Sequence, residues 1–307
     1  MRIAVLGAGG VGGYFGGILA HSGYEVVFIA RGENLEALRR DGLVVRSVHG
    51  DFAVRPVVAT DHPDEVEPVD YVIVAVKHFQ LADAAPAIEP LVGPDCVVVP
   101  LLNGVDAHEI LAAHVGAERV VGGLCSVVSM VERPGVIRQE SRMRRVAIGE
   151  LDRRKSERVQ RLVQAWATAG VDATQAEDIH VALWSKFVFI AAFGGVSSLA
   201  RANAGEIRSR PETRALLSAA IGEVEQVGRA KAVALAPAIL EDTMKVIDGL
   251  EPTATSSMQR DVAAGKAFEL DAFSGALVRL GRELGVPTPV HTVIDALLRP
   301  ALHRSVS

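Results

Sequence analysis

Six residues near the start, Gly7-Ala8-Gly9-Gly10-Val11-Gly12, carry the spacing GxGxxG. Glycine at these positions permits a tight turn, a close backbone approach to a phosphate and close packing of a helix on a strand. A helix that opens there offers unpaired N–H groups and partial positive charge, both suited to a pyrophosphate. Chance matches are common, so the spacing counts only between a strand and a helix. Three more polar residues, Arg31, Lys77 and Asn103, each follow an apolar run directly. Further on, Lys186 stands in ALWSKFVFIAAF. A lysine among apolar neighbours is desolvated, which lowers its pKa and suits proton transfer. The last cluster is Ser256-Ser257-Met258-Gln259-Arg260-Asp261, with Glu269 beyond it. Its plainer reading is a serine cap at a helix start.

The elements that must hold these residues are legible as alternating patterns. RIAVL (2–6), EVVFIA (25–30), YVIVAV (71–76) and CVVVPLL (96–102) are short apolar runs of the buried-strand type. Helical stretches separate them, to about residue 21, over 33–40, around Pro86 and near 106–114. Strands alternating with helices predict βαβ units and a mostly parallel sheet covered on both faces. Residues 42–58 read as two β-rich runs around a turn at His49-Gly50-Asp51. Further β-like segments fall near 119–131, 136–139, 145–150 and 171–176, with a helix at 157–170. Beyond 177 the strand signal fades into long Ala- and Leu-rich segments punctuated by prolines. The expected architecture is α/β: a Rossmann-type dinucleotide-binding domain over 1–177 and an all-helical domain over 178–307.

In such a sheet, ligands bind beyond the carboxyl ends of the strands. Gly7–Gly12, Arg31, Lys77 and Asn103 should therefore share one crest, although Lys77 or Asn103 alone reads equally well as an ordinary loop residue. The second strand bears on the choice of cofactor. An NAD site places a carboxylate near its end, to bond the ribose 2′-hydroxyl. Here the strand runs into Ile29-Ala30-Arg31-Gly32. A guanidinium suits a 2′-phosphate, so NADP(H) is expected rather than a merely solvated arginine.

Composition closes off other classes. The 307 residues include 32 Lys+Arg against 37 Asp+Glu, a net charge of −5, with no basic excess for nucleic acid. Hydrophobic residues make up 49% and charged residues 22%, which excludes a disordered chain. Seven of the 29 glycines lie between Gly7 and Gly17 and interrupt any leader-like apolar run. No segment reads as the ~20 apolar residues that span a bilayer. Cys96 and Cys125 lack metal-ligand spacing and read as reduced core thiols. His78, His180 and His291 have no partners at metal spacing, and no metal is expected. A cytoplasmic location is expected.

Taken together, MRIAVLGAGGVGGYFG, FIARG, VAVKHFQ, LLNGVD, ALWSKF and SSMQRDVAAGKAFELD resemble the ketopantoate reductase (2-dehydropantoate 2-reductase) family over nearly the whole chain. The resemblance implies NADPH-dependent reduction of a 2-oxo acid in pantothenate biosynthesis, at a cleft between a Rossmann and a helical domain. By it, Lys186 is the general acid that protonates the ketone oxygen. Asn103 contacts cofactor and substrate, Ser257 and its neighbours bind the substrate carboxylate, Glu269 lies near the cofactor ribose, and Ser129 gives a backbone contact to the nicotinamide end. The family commonly carries asparagines one and two turns after the lysine. This chain has Ile190 and Gly194 there. A more apolar substrate pocket is expected, with Asn203, Ser197 or Ser198 as candidate replacement donors. The expected partner is a small-molecule 2-oxo acid, homodimer formation is left open, and neither nucleic acid nor membrane is expected. A 3-hydroxyacid or polyol dehydrogenase, and an NADP(H)-binding sensor without turnover, stand as alternatives.

Overall fold

Period-two alternation in the first strand already sorts its side chains between two cores. Ile3 and Val5 enter one apolar cluster, Ala4 and Leu6 the other. The same split recurs at Val26/Phe28 against Val27/Ile29, and at Tyr71/Ile73 against Val72/Val74. A sheet buried on both faces needs such apolar runs, because successive side chains point to opposite sides.

The computed structural model describes residues 1–302. The strands are β1 (Arg2–Leu6), β2 (Glu25–Ile29), β3 (Leu43–Ser47), β4 (Phe52–Val54), β5 (Val58–Thr60), β6 (Val69–Val74), β7 (Val92–Pro100), β8 (Gly122–Ser126), β9 (Ser129–Arg133), β10 (Val136–Gln139), β11 (Arg145–Gly149) and β12 (Asp172–Gln175). They form three sheets. The first is wholly parallel, in the order β5-β2-β1-β6-β7. The second, β4-β3-β10-β9, and the third, β12-β11-β8, are mixed. The third joins the edge of the first through the Val121 N–H, which donates to the Val98 carbonyl at 3.1 Å.

The run expected as the second arm of one hairpin is divided between sheets. β3 and β4 pair antiparallel around the predicted turn, where Asp51 Oδ1 accepts from the Ser47 N–H at 2.9 Å. Pro56 then interrupts the chain, since it has no N–H to give a ladder. β5 begins beyond it, parallel to β2.

Helices α1 (Gly10–His21), α2 (Gly32–Asp41), α3 (Leu81–Ala84), α4 (Ala107–Val115) and α5 (Glu157–Thr168) accompany these sheets. α5 shows the local logic: the Ser156 hydroxyl accepts from the Val159 N–H, and Gly170 turns the chain at φ +82°. The chain divides into two units, Met1–Ile179 and the part from His180 onward.

The second unit is built on α6 (Ile179–Ala200), followed by α7 (Ala204–Ser209), α8 (Pro211–Ala230), α9 (Ile239–Asp248), α10 (Ser257–Ala263), α11 (Ala276–Leu284) and α12 (Pro289–Leu302). A π-helical turn, Asp271–Gly275, leads into α11. α6 is mostly apolar, and neighbouring elements cover it on several sides. Trp184 packs edge-on to Phe187 at 5.5 Å, and Phe187 to Phe273 at 6.4 Å. Gly228 of α8 lets the Trp184 ring approach, and Gly195 faces Ile294 of α12. This corrects the expectation that no segment is long and apolar enough to cross a membrane: α6 is, by length and composition. Its most apolar stretch is 61% buried within the protein, the condition of a core helix.

Candidate active site

Parallel strands bring the sequence-distant polar residues to one edge. β1 is the point where strand order reverses, with β2 on one side and β6 on the other. Ligands of open α/β sheets bind at this switch point. Ladder bonds continue into the crest: the Gly7 N–H donates to the Ile29 carbonyl at 3.1 Å, Ala75 N–H to Leu6 at 2.9 Å, and Leu101 N–H to Val74 at 2.8 Å. Lys77 and Asn103 follow β6 and β7 and are half-buried. The exposed Arg31 is the N-cap residue of α2.

The glycine turn has distinct neighbours at each position. Gly7 sits at φ +97°, where a side chain is strained, and a Cβ there would lie 3.0 Å from the Ala75 carbonyl. A Cβ on Gly12 would collide with the Gly7 carbonyl oxygen and press on Val5, so glycine brings α1 against β1. Gly10 lies beneath β9: a Cβ there would be 2.5 Å from the Ser129 carbonyl oxygen. A Cβ on Gly9 would meet nothing within 4 Å. Ala8 is buried and Val11 half-buried.

This cradle fits a dinucleotide pyrophosphate. Space is open at Gly9, no side chain caps α1, and its first turn holds no carboxylate. Ser129, whose carbonyl overlies Gly10, keeps a buried hydroxyl that bonds to nothing among the described residues. Gly7–Gly12 would hold the pyrophosphate, and an arginine rather than a carboxylate follows the second strand.

Two contacts in this unit escaped the sequence reading. His78 Nε2 lies 2.7 Å from Asp106 Oδ1, tying the loop of Lys77 to the loop of Asn103. Asn34, in the first turn of α2, donates from Nδ2 to the Ala8 carbonyl at 3.0 Å and accepts at Oδ1 from the Gly135 N–H at 2.9 Å. Neither has a local sequence signal, since the partners stand 28, 26 and 101 residues away.

In the second unit, Lys186 is half-buried on α6, with Ile190 and Gly194 following at i+4 and i+8 on the same face. Gly194 is buried, and a Cβ there would stand 3.4 Å from the Phe273 ring. Ser256, not Ser257, caps α10: its hydroxyl accepts from the Gln259 N–H at 3.0 Å and lies 3.0 Å from the Ser197 hydroxyl. Ser257 is the exposed first residue of that helix.

The three candidate replacement donors differ. Asn203 is engaged in a reciprocal cap of α7, accepting from the Glu206 N–H while Glu206 accepts from its own, each at 2.9 Å. Ser197 is paired with Ser256. The buried Ser198 hydroxyl makes no hydrogen bond among the described residues. Glu269 is 5% exposed and stands just before the π-helical turn. Among the described residues, no three His, Cys, Asp or Glu side chains gather as a metal site, and both cysteines are buried and outside any disulfide.

A doubly wound sheet with a glycine turn at its switch point, followed by a helical unit carrying a lysine, defines an oxidoreductase of the dinucleotide-binding type. Known proteins agree. The model of the family "Ketopantoate reductase PanE/ApbA" matches residues 3–153, and that of its C-terminal domain matches 178–301. An uncharacterized oxidoreductase, YkpB, of Bacillus subtilis is 31% identical over 97% of this chain and 98% of its own length. The crystal structure of a 2-dehydropantoate 2-reductase from Geobacter metallireducens superposes with a TM-score of 0.92 at 31% identity, covering 98% of this chain and 100% of that one. A D-mandelate dehydrogenase solved with NADH and anilino(oxo)acetate shares the fold at TM-score 0.90 and 24% identity, over 99% and 98% of the two chains. The chain belongs to the ketopantoate reductase family and is an oxidoreductase acting on CH–OH.

Proposed function

We propose that the protein reduces 2-dehydropantoate (ketopantoate) to pantoate with NADPH. The observation that carries this reading is the pairing, within this family, of an uncapped glycine turn with Arg31 where an NAD site needs a carboxylate. When bound, the nicotinamide supplies the hydride for the carbonyl carbon. The chain's residues do the rest. The N–H groups at Gly9–Gly12 neutralise the pyrophosphate, and Arg31 takes the 2′-phosphate. Lys77 and Asn103 fix the cofactor, Asn103 also touching the substrate, with Ser129 and Glu269 as further cofactor contacts. Lys186 gives a proton to the ketone oxygen, and its charge opposes the developing alkoxide. Ser257 holds the substrate carboxylate.

One observation favours a second reading within the same reaction. Ile190 and Gly194 follow Lys186 on α6, and neither supplies a hydrogen bond from its side chain. Side chains without donors at these two positions give a substrate hydroxyl no hydrogen bond. A 2-oxo acid with an apolar side chain would suit that face better than ketopantoate. Oxidation of NADPH against ketopantoate, apolar 2-oxo acids and 3-oxo acids separates these cases. The leading reading expects the highest kcat/KM for ketopantoate. A preference for 3-oxo acids would exclude both.

A further inference from the structure

We infer that Asn34 is a positioning residue for the cofactor, setting the glycine turn against the end of α2 that carries Arg31. The inference rests on the proposed NADPH site and adds to it a residue that touches neither phosphate by assignment.

Asn34 is the third residue of α2, in the first turn that Arg31 opens. An asparagine near a helix start can bond its own helix end. Here it reaches away from it. Nδ2 donates to the Ala8 carbonyl, in the middle of the glycine turn, at 3.0 Å. Oδ1 accepts from the Gly135 N–H, in the turn between β9 and β10, at 2.9 Å. One partner only accepts and the other only donates, so the amide orientation is forced. Aspartate cannot make both bonds, and an aliphatic residue can make neither.

The bond to Ala8 bears directly on phosphate binding. A peptide unit is planar and trans, so its C=O and the next N–H point in opposite directions. Holding the Ala8 carbonyl toward α2 therefore turns the Gly9 N–H away from α2. Gly9 is the glycine of the motif at which a Cβ would meet nothing, the place open to a ligand. The bond to Gly135 anchors the same side chain to the β9–β10 hairpin. That hairpin also crosses α1, with the Ser129 carbonyl over Gly10 and Ile137 against Gly13. A Cβ on Gly135 would lie 3.2 Å from Ala37 of α2. Asn34 thus stands where the glycine turn, α2 and the hairpin meet. Arg31 is three residues before it on the same backbone, so the amide sets the distance between the pyrophosphate cradle and the 2′-phosphate anchor.

The test is the equilibrium Kd of NADPH and of NADH, by fluorescence titration, for wild type, Asn34→Ala, Arg31→Ala and the double variant. Thermal unfolding confirms that each is folded. Asn34→Ala should raise the NADPH Kd 10- to 100-fold. In steady state it should raise the KM for NADPH while kcat at saturating NADPH and the KM of the oxo acid stay within twofold. The Arg31→Ala penalty on NADPH should shrink in the Asn34→Ala background, because the misplaced anchor is already lost. Asn34→Asp keeps an acceptor for Gly135 and so keeps the hairpin tethered. Measured in 0.5 M salt to screen its added charge, it should also weaken NADPH at least tenfold. A folded Asn34→Ala or Asn34→Asp with NADPH affinity within twofold of wild type would overturn the inference, as would independent, multiplicative losses in the double variant. The underlying site reading fails separately: Arg31→Ala would then leave NADPH binding unchanged.

Discussion

Lys186 stands half-buried on α6, a helix otherwise rich in apolar side chains. That placement matters for a proton donor, which must meet the ketone oxygen in one geometry. Lys186→Ala should lower kcat by on the order of 10²–10⁴, the usual contribution of a general acid. NADPH affinity by titration should stay unchanged, since the glycine turn and Arg31 belong to the other unit. Unchanged turnover would remove Lys186 from the reaction. At the crest, Arg31→Asp should weaken NADPH by at least tenfold more than NADH. An equal loss for both cofactors would show that Arg31 does not read the 2′-phosphate. These residues were legible because their signals are local: glycine spacing, an arginine at a strand end, a lysine in an apolar run. Asn34, the His78–Asp106 pair and the Ser197–Ser256 contact were not. Each is an ordinary polar residue until the fold brings up a partner between 26 and 101 residues away.

Elements show the same division. Alternating apolar runs announced the parallel strands and the helices between them. They did not announce that Pro56 would break a β-rich run and send β4 and β5 to different sheets, because pairing partners lie far along the chain. Nor did they reveal the π-helical turn after Glu269 or what fastens it. The Ser274 hydroxyl, within that turn, lies 3.0 Å from His291 Nδ1. His291 Nε2 lies 3.2 Å from the Ala220 carbonyl. A carbonyl only accepts, so Nε2 carries the proton and Nδ1 accepts from Ser274. Glu223 of α8 accepts from the Val290 and His291 N–H groups, at 2.7 and 3.0 Å, at the start of α12. Burial holds the His291 ring down at about 4, against the pull of the Ala220 carbonyl. Burial also raises Glu223, against the two N–H groups.

A pH dependence follows with a definite sign. The unfolded histidine titrates near about 6.5, above its folded value, so as pH falls the unfolded chain takes the proton first. The stability tied to the neutral ring is full above that pH and is lost on the way down to about 4. Relative to His291→Asn, the wild type should lose on the order of 3 kcal/mol between pH 7 and acid conditions below that folded value. Urea unfolding of both proteins across the range measures it. Glu223 contributes the opposite sign but is common to both, so the difference isolates His291. Parallel curves would contradict the assignment.

At the scale of the whole molecule, the chain divides into two units, one with the glycine turn and one helical unit that carries Lys186; the proposed reaction assigns cofactor binding to the first and proton donation to the second. The sequence pattern already showed strands giving way to Ala- and Leu-rich helices beyond residue 177. It did not show that the central helix of the second unit has the length and apolarity of a membrane span and is buried instead by its neighbours. The most direct measurement is stoichiometric: purified protein, NADPH and ketopantoate, with NADPH loss and pantoate formation followed in parallel. One pantoate per NADPH consumed, at a rate that Lys186→Ala lowers on the order of 10²–10⁴-fold, is the predicted result. Tight NADPH binding with no oxidation by ketopantoate or any other 2-oxo acid would contradict it and leave a nucleotide-binding protein without turnover.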